Sequence, residues 1–207
     1  MTDRDVKLRE LQELRRRVEV LEVELGAEPV DQSWKTDWYP AYDATTGFLL
    51  GFFAATASLL FNVVGSVAWK TLGGHEQHPL RLIQVYLTFP LGEKALTVDS
   101  GITLAIGCCL YLATGMLYGI VFQLFFSRFL PRSGLGARLL AGTLLALLIW
   151  LVNFYGVLAW LQPLMFGGNW IVEQVDWWVA ALTHLVFGWA MALLYPQGVY
   201  RPYSPLE

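Results

Sequence analysis

Charge is what this sequence lacks once residue 32 is passed. Only 15% of its 207 residues are Asp, Glu, Lys or Arg, and five of the ten arginines and six of the ten glutamates precede that point. Outside the N-terminal segment no Lys/Arg patch is interleaved with aromatics, which argues against a nucleic-acid partner. Cysteine is scarce too. Cys108 and Cys109 are adjacent inside an apolar run, where neighbours rarely pair, so they do not report the redox compartment. No Ser/His/Asp order, glycine-rich phosphate loop or spaced cysteine cluster occurs, and an enzyme of the usual soluble kinds is not expected. The N-terminus has no short apolar core with a small-residue cleavage site, so the first hydrophobic run should itself direct membrane insertion. Nor does an internal repeat relate the first half of the apolar region to the second, which weakens an inverted-repeat transporter reading.

What is abundant is apolar surface: 56% hydrophobic residues and a mean hydropathy of +0.47. The stretch Ile102 to Phe126 is apolar for about 25 residues, enough at about 1.5 Å per residue to cross a hydrocarbon core of ~30 Å. Four such runs are expected, at 44–69, 102–126, 137–160 and 177–195. The fold class is therefore an all-α integral membrane protein with four transmembrane helices in a membrane domain of residues 44–196. Small residues mark where backbones can approach: Gly47 and Gly51 in the first span, and Gly107, Gly115 and Gly119 in the second. Asn62, polar inside the first span, is expected to make an interhelical hydrogen bond. Asp43 and the pair Asp99 and Ser100 are candidate caps for the first two spans.

Three segments lie outside the spans. Residues 1–28 form an amphipathic helix whose seam, Leu11, Leu14, Val18, Leu21 and Leu25, alternates steps of three and four. Asp3/Lys7, Asp5/Arg9 and Glu13/Arg17 are acid-to-base pairs along it. Gly26 and Pro29 end it. The seam is about two heptads long, too short for a stable isolated dimer, so it either docks on a partner or rests on its own membrane domain. Residues 29–43 read as an interfacial linker carrying Trp34, Trp38, Tyr39 and Tyr42. In the first long connection, the segment between Pro79 and Pro90 puts Arg81, Gln84 and Thr88 on one helical face. It is too short to span and should lie in the interface or re-enter the membrane. The tail, residues 197–207, is proline-rich and expected to be extended.

All of the 14 lysines and arginines except Lys70, Arg81 and Lys94 fall in the N-terminal arm, the 128–138 loop or the tail, so both termini are expected in the cytoplasm. The tryptophans fit this orientation, with Trp69, Trp160, Trp170, Trp177 and Trp178 at the outer interface. Trp34, Trp38 and Tyr195 belong to the inner one.

Few residues invite chemistry. His184 is the one histidine within a span and a candidate cofactor ligand for a haem or quinone. A histidine bonded to a neighbouring helix is the simpler account, and this domain has no second intramembrane histidine for a bis-histidine haem. His75 and His78 form H-E-x-H, half of a zinc or copper site with the wrong spacing for the zinc-protease helix. Glu93, Asp99, Glu173 and Asp176 are outer-surface acids that capping and solvation explain.

The segments HPLRLIQVYLTFPLGEKAL, GCCLYLATGMLYGIVFQL, WLVNFYGVLAWLQPLMFGGNW and WWVAALTHLVFGWAMALLY together resemble a group of bacterial four-span membrane proteins. Members of that group are associated with haem–copper oxidase or related respiratory complexes. The resemblance spans residues 42–196, without the charged N-terminal helix. It implies a setting, the bacterial cytoplasmic (inner) membrane beside an electron-transfer complex, and transfers no functional residue. The leading expectation is a non-catalytic accessory subunit with no intrinsic cofactor, in contact with other membrane subunits and bound lipid. The alternatives are a haem- or quinone-handling protein built around His184, Asn153 and Trp150, and a small transporter or lipid-handling protein gated by the Pro79–Pro90 segment.

Overall fold

A computed structural model of the chain describes residues 3–24, 39–71 and 78–200, and its backbone there is helical with no strand. Two compact units result, Met1–Asp37 and Trp38–Glu207. The first holds helix α1, Asp3–Glu24. Leu11, Leu14, Val18 and Leu21 of the predicted seam lie 41% to 54% exposed on it, and Leu25 falls outside the described residues, as do Gly26 and Pro29.

The second unit contains α2 (Pro40–Thr71), α3 (Arg81–Leu91) with a 3₁₀ turn after it (Gly92–Thr97), and α4 (Gly101–Phe129). A continuous coil follows: α5 (Leu135–Leu151), a π-helical stretch (Val152–Leu158) and α6 (Ala159–Phe166). Short α7 (Trp170–Gln174), α8 (Trp177–Leu194) and a 3₁₀ turn (Tyr195–Gly198) complete it. Four paths, 40–68, 101–129, 135–166 and 177–198, are long and apolar enough to cross a membrane. The third runs past the expected end at residue 160, because the helix tolerates Pro163 and stops only at Gly167. There φ of +79° suits a residue without Cβ, and the Gly167 N–H reaches the Pro163 carbonyl at 2.9 Å.

Two capping expectations fail. Pro40, with φ already set for a first helical position, starts α2 early, so Asp43 sits buried within the first turn rather than at its cap. Ser100 occupies the N-cap of α4 but its side chain makes no capping bond, and Asp99 is simply exposed. Tyr195, expected at the inner interface, is packed inside the protein at the end of α8: it is 3% exposed, edge-on to Phe126 and covered by the Arg138 guanidinium.

In space the long helices run α4, α2, α8, α5, an open arc in which each packs on the next while α4 and α5 touch little. The α2–α4 seam is built on backbone contact. A Cβ on Gly51 would lie 2.5 Å from the Gly115 carbonyl oxygen, one on Gly47 would lie 2.7 Å from that of Gly119, and one on Gly119 would overlap the Gly47 carbonyl. Gly107 serves another purpose, seating Ile83 and Leu87 of α3. At the far side of the arc Gly142 of α5 and Gly188 of α8 face one another, each carbonyl against the other's open space. Asn62 Nδ2 donates to Thr183 Oγ1 at 2.9 Å, the interhelical bond expected of it, tying α2 to α8. The main core, with Phe122, Phe126, Met191 and Tyr195, closes the arc at the 130–134 end.

Candidate functional site

Because α4 and α5 diverge away from that core, a space of about 620 Å³ opens between them. Phe122, Ala146, Ile149 and Phe187 floor it, while Leu82, Val85, Tyr86 and Phe89 of α3, with Ile171 and Val175, roof it. Leu110 and Leu117 stand at its side, 43% and 61% exposed at mid-length of α4, so the cavity opens sideways between helices rather than at their ends.

A polar clasp holds the roof in place. The face of Arg81, Gln84 and Thr88 is turned inward, with Gln84 3% and Thr88 0% exposed. Arg81 donates to Gln84 Oε1, to the Leu96 carbonyl and, at 2.9 Å, to Gln174 Oε1, and Gln84 Nε2 donates to the Val98 carbonyl. Gln162, fully buried, donates from Nε2 to Thr88 Oγ1 at 2.9 Å and accepts the Ile171 N–H at 2.9 Å. Buried polar groups without such partners would cost a few kcal/mol each, so the sequence positions of these side chains dictate where α3 can rest.

Following the hydrogens shows which cavity groups are free. Thr114 donates its hydroxyl hydrogen to the Leu110 carbonyl, so Tyr86 must be the donor across the 2.6 Å contact to Thr114 Oγ1. Ser58 donates to the Ala55 carbonyl, so Tyr111 is the donor to Ser58 Oγ at 2.7 Å. Tyr118 differs. It accepts from Asn153 Nδ2 at 2.6 Å, and among the described residues its own hydroxyl hydrogen has no acceptor. His184 lies 2.8 Å through Nδ1 from the Ala180 carbonyl, which can only accept; the neutral ring therefore carries its proton on Nδ1 and presents Nε2 as an acceptor. Nε2 makes no hydrogen bond among the described residues. Asn153 adds Oδ1 and belongs to the π-helical stretch, a distortion that often accompanies function. The lining thus offers one phenolic donor, an amide and an imidazole acceptor on apolar walls, with no charged side chain among the described residues.

Of the residues singled out from sequence, His184 and Asn153 line this cavity and Trp150 does not. Trp150 lies near Tyr155 and Trp177, with its indole nitrogen buried and without a hydrogen-bond partner among the described residues. His75 lies outside the described residues. His78 Nδ1 accepts the Leu80 N–H at 3.0 Å, so that lone pair serves a turn rather than a metal. Among the described residues no group of three or more His, Cys, Asp or Glu is placed to hold a metal ion. Sequence reasoning passed over Tyr86, Tyr111, Tyr118 and Gln162, and the Gly142/Gly188 pair. Gly142 with Ala146 and Gly188 with Ala192 are small-residue steps of four that could have flagged the second seam.

Fold and site define a multi-pass membrane protein with a laterally open apolar cavity. No protein-family model, curated protein or solved structure matches the chain.

Proposed function

We propose that this protein binds a lipid-soluble molecule with a small, uncharged, oxygen-bearing ring, of the quinone or quinol class, and has no catalytic step of its own. The observation that carries the reading is the cavity: about 620 Å³, within the range of small-molecule sites, with a few convergent polar groups on apolar walls. A quinone carbonyl would accept from Tyr118, and a quinol hydroxyl would donate to His184 Nε2 or Asn153 Oδ1. The aromatic rings of Tyr86, Phe154 and Phe187 would flank the ring, and an isoprenoid tail would leave past Leu110 and Leu117 into lipid. A phospholipid head fits worse, since no Lys or Arg is at hand to meet a phosphate. His184 Nε2 is also the one lining nitrogen suited to haem iron, and a Soret band in the purified protein would favour that cofactor instead.

The membrane is read as the bacterial cytoplasmic one with both termini inside, on the strength of the basic loop and arm. Helix α3 is read as a re-entrant or interfacial lid, since its 11 residues are too few to span. A second reading, an accessory subunit of a membrane electron-transfer complex, is favoured by the exposed Leu11, Leu14, Val18 and Leu21 stripe, and is compatible with the first.

The test is solvent extraction of the purified protein with mass spectrometry of what it retains, followed by titration with a short-chain quinone. Near-stoichiometric ring compound is expected. Tyr118→Phe, Asn153→Leu and His184→Leu should each weaken quinone binding about fivefold, the worth of one hydrogen bond of about 1 kcal/mol. Retention of phospholipid alone, with no saturable quinone binding, refutes the reading.

A further inference from the structure

At the opposite end of the bundle from the cavity's roof, the α4–α5 loop and the 3₁₀ turn after α8 border a second, smaller and open pocket of about 240 Å³. Two arginines line it, Arg132 and Arg138, together with Ser133, Tyr195 and two prolines, Pro131 and Pro196. We propose that this pocket is a binding site for a phosphate group, that of an anionic phospholipid headgroup or a free phosphate.

Four observations converge on it. Arg138 is not a loosely solvated side chain: its guanidinium is held over the Tyr195 ring, 5.3 Å from the centroid, and its Nε is buried with no hydrogen-bond partner among the described residues. A buried guanidinium N–H without an acceptor is costly, and a small turn of the guanidinium toward the pocket would let a phosphate oxygen satisfy it in the bidentate geometry that arginine favours. Second, the loop from Arg128 to Arg138 contains no acidic residue. Asp43, whose carboxyl lies near Tyr195, is hydrogen-bonded to Ser127 and does not line the pocket. Third, the 17-residue α5 begins in this same loop, adding the positive end of its dipole. Fourth, Phe129 and Leu135 flank the loop, 68% and 45% exposed, as apolar side chains that belong among acyl chains. This places the arginines at the depth of lipid phosphates and favours the headgroup as the source. The Ser133 hydroxyl hydrogen goes to the Leu130 carbonyl, so the arginines are the donors that would recognise the anion.

The experiment places the full chain in nanodiscs of equal phosphatidylglycerol and phosphatidylcholine and reads the retained lipid by native mass spectrometry. In parallel, the detergent-solubilised protein is melted with and without inorganic phosphate. Retention of phosphatidylglycerol over phosphatidylcholine is expected. Arg132→Gln and Arg138→Gln should each reduce that preference about fivefold, the worth of one basic residue at an anionic surface. Lys94→Gln, at the other end of the bundle, should leave it unchanged. Arg132 is exposed, so its replacement tests the site even if Arg138→Gln fails to fold. Arg138→Lys keeps the charge, loses the planar fork and should fall between. No lipid preference, but a melting shift with phosphate that both Gln variants abolish, assigns the pocket to free phosphate. A phosphatidylglycerol preference that survives both Gln variants, or no response in either arm, overturns the proposal.

Discussion

Replacing Gly119 by alanine adds one methyl group where two helix backbones touch, and the consequence can be worked out from its surroundings. The new Cβ would overlap the Gly47 carbonyl and come within 2.8 Å of the Gly51 nitrogen. These are backbone atoms of another helix, so no rotamer change relieves the contact. The helices must part by roughly 1 Å, and a gap of 0.5–1 Å forfeits a quarter to a half of each dispersion contact along the seam. Overpacking of this kind costs about 3 kcal/mol at its upper range, against which alanine regains about 1 kcal/mol of helix propensity. A net loss of ~2 kcal/mol is expected. Gly65, on the same helix α2, has nothing within 4 Å of its Cβ position, so Gly65→Ala should be neutral or stabilising by up to about 1 kcal/mol. Reversible unfolding in mixed micelles, titrated with a denaturing detergent and followed by tryptophan fluorescence, measures both. Opposite signs are the signature of a backbone seam. If Gly119→Ala and Gly65→Ala shift stability alike, the α2–α4 contact is not as close as described, and the arc built upon it fails.

Removing Gln162 as Gln162→Leu leaves the buried Ile171 N–H without its acceptor, a loss of about 1–3 kcal/mol, and hydrogen exchange across residues 81–91 should quicken as the roof loosens. The Asn62–Thr183 bond should be worth about 0.6 kcal/mol in a double-mutant cycle of Asn62→Leu with Thr183→Val; zero coupling would mean that lipid-exposed states satisfy both groups equally well. Replacing Leu14, Val18 and Leu21 by Ser should leave membrane insertion intact and release any partner held by α1. Undiminished co-purification of every partner would show that the stripe is not the grip. For orientation, with both native cysteines replaced, Glu93→Cys should label from outside intact cells and Gly134→Cys should not.

The four spans, the two α2–α4 glycine pairs and the Asn62 bond could be expected from the sequence because each depends on a local pattern or on one residue's need for a partner. The cavity could not. It arises where α4 and α5 fail to meet, and a failure to pack leaves no periodicity. The burial of the α3 polar face is hidden for a related reason: Arg81 and Thr88 find Gln174 and Gln162 as partners far away in sequence. His184 and Asn153 were visible as polar residues in apolar runs. That they share a chamber with Tyr118, and that Trp150 does not, depends on the rotation of three helices about their axes. Tyr195 shows what a compositional rule leaves out: its position at a helix end suggested an interface, but not that the Arg138 guanidinium covers its ring.

The sideways mouth beside Leu110 and Leu117 decides what concentration would mean for the proposed ligand. A chamber reached through the flank of a helix is filled from the hydrocarbon layer, so its occupancy follows the mole fraction of ligand among lipids and not the amount in water. Adding empty vesicles to a fixed quantity of protein and ligand would empty the chamber by dilution in two dimensions, although no aqueous concentration had been deliberately changed. Compounds compared against it would rank by the product of partitioning and fit, and a hydrophobic analogue with fewer contacts could outcompete a better-shaped one that prefers water.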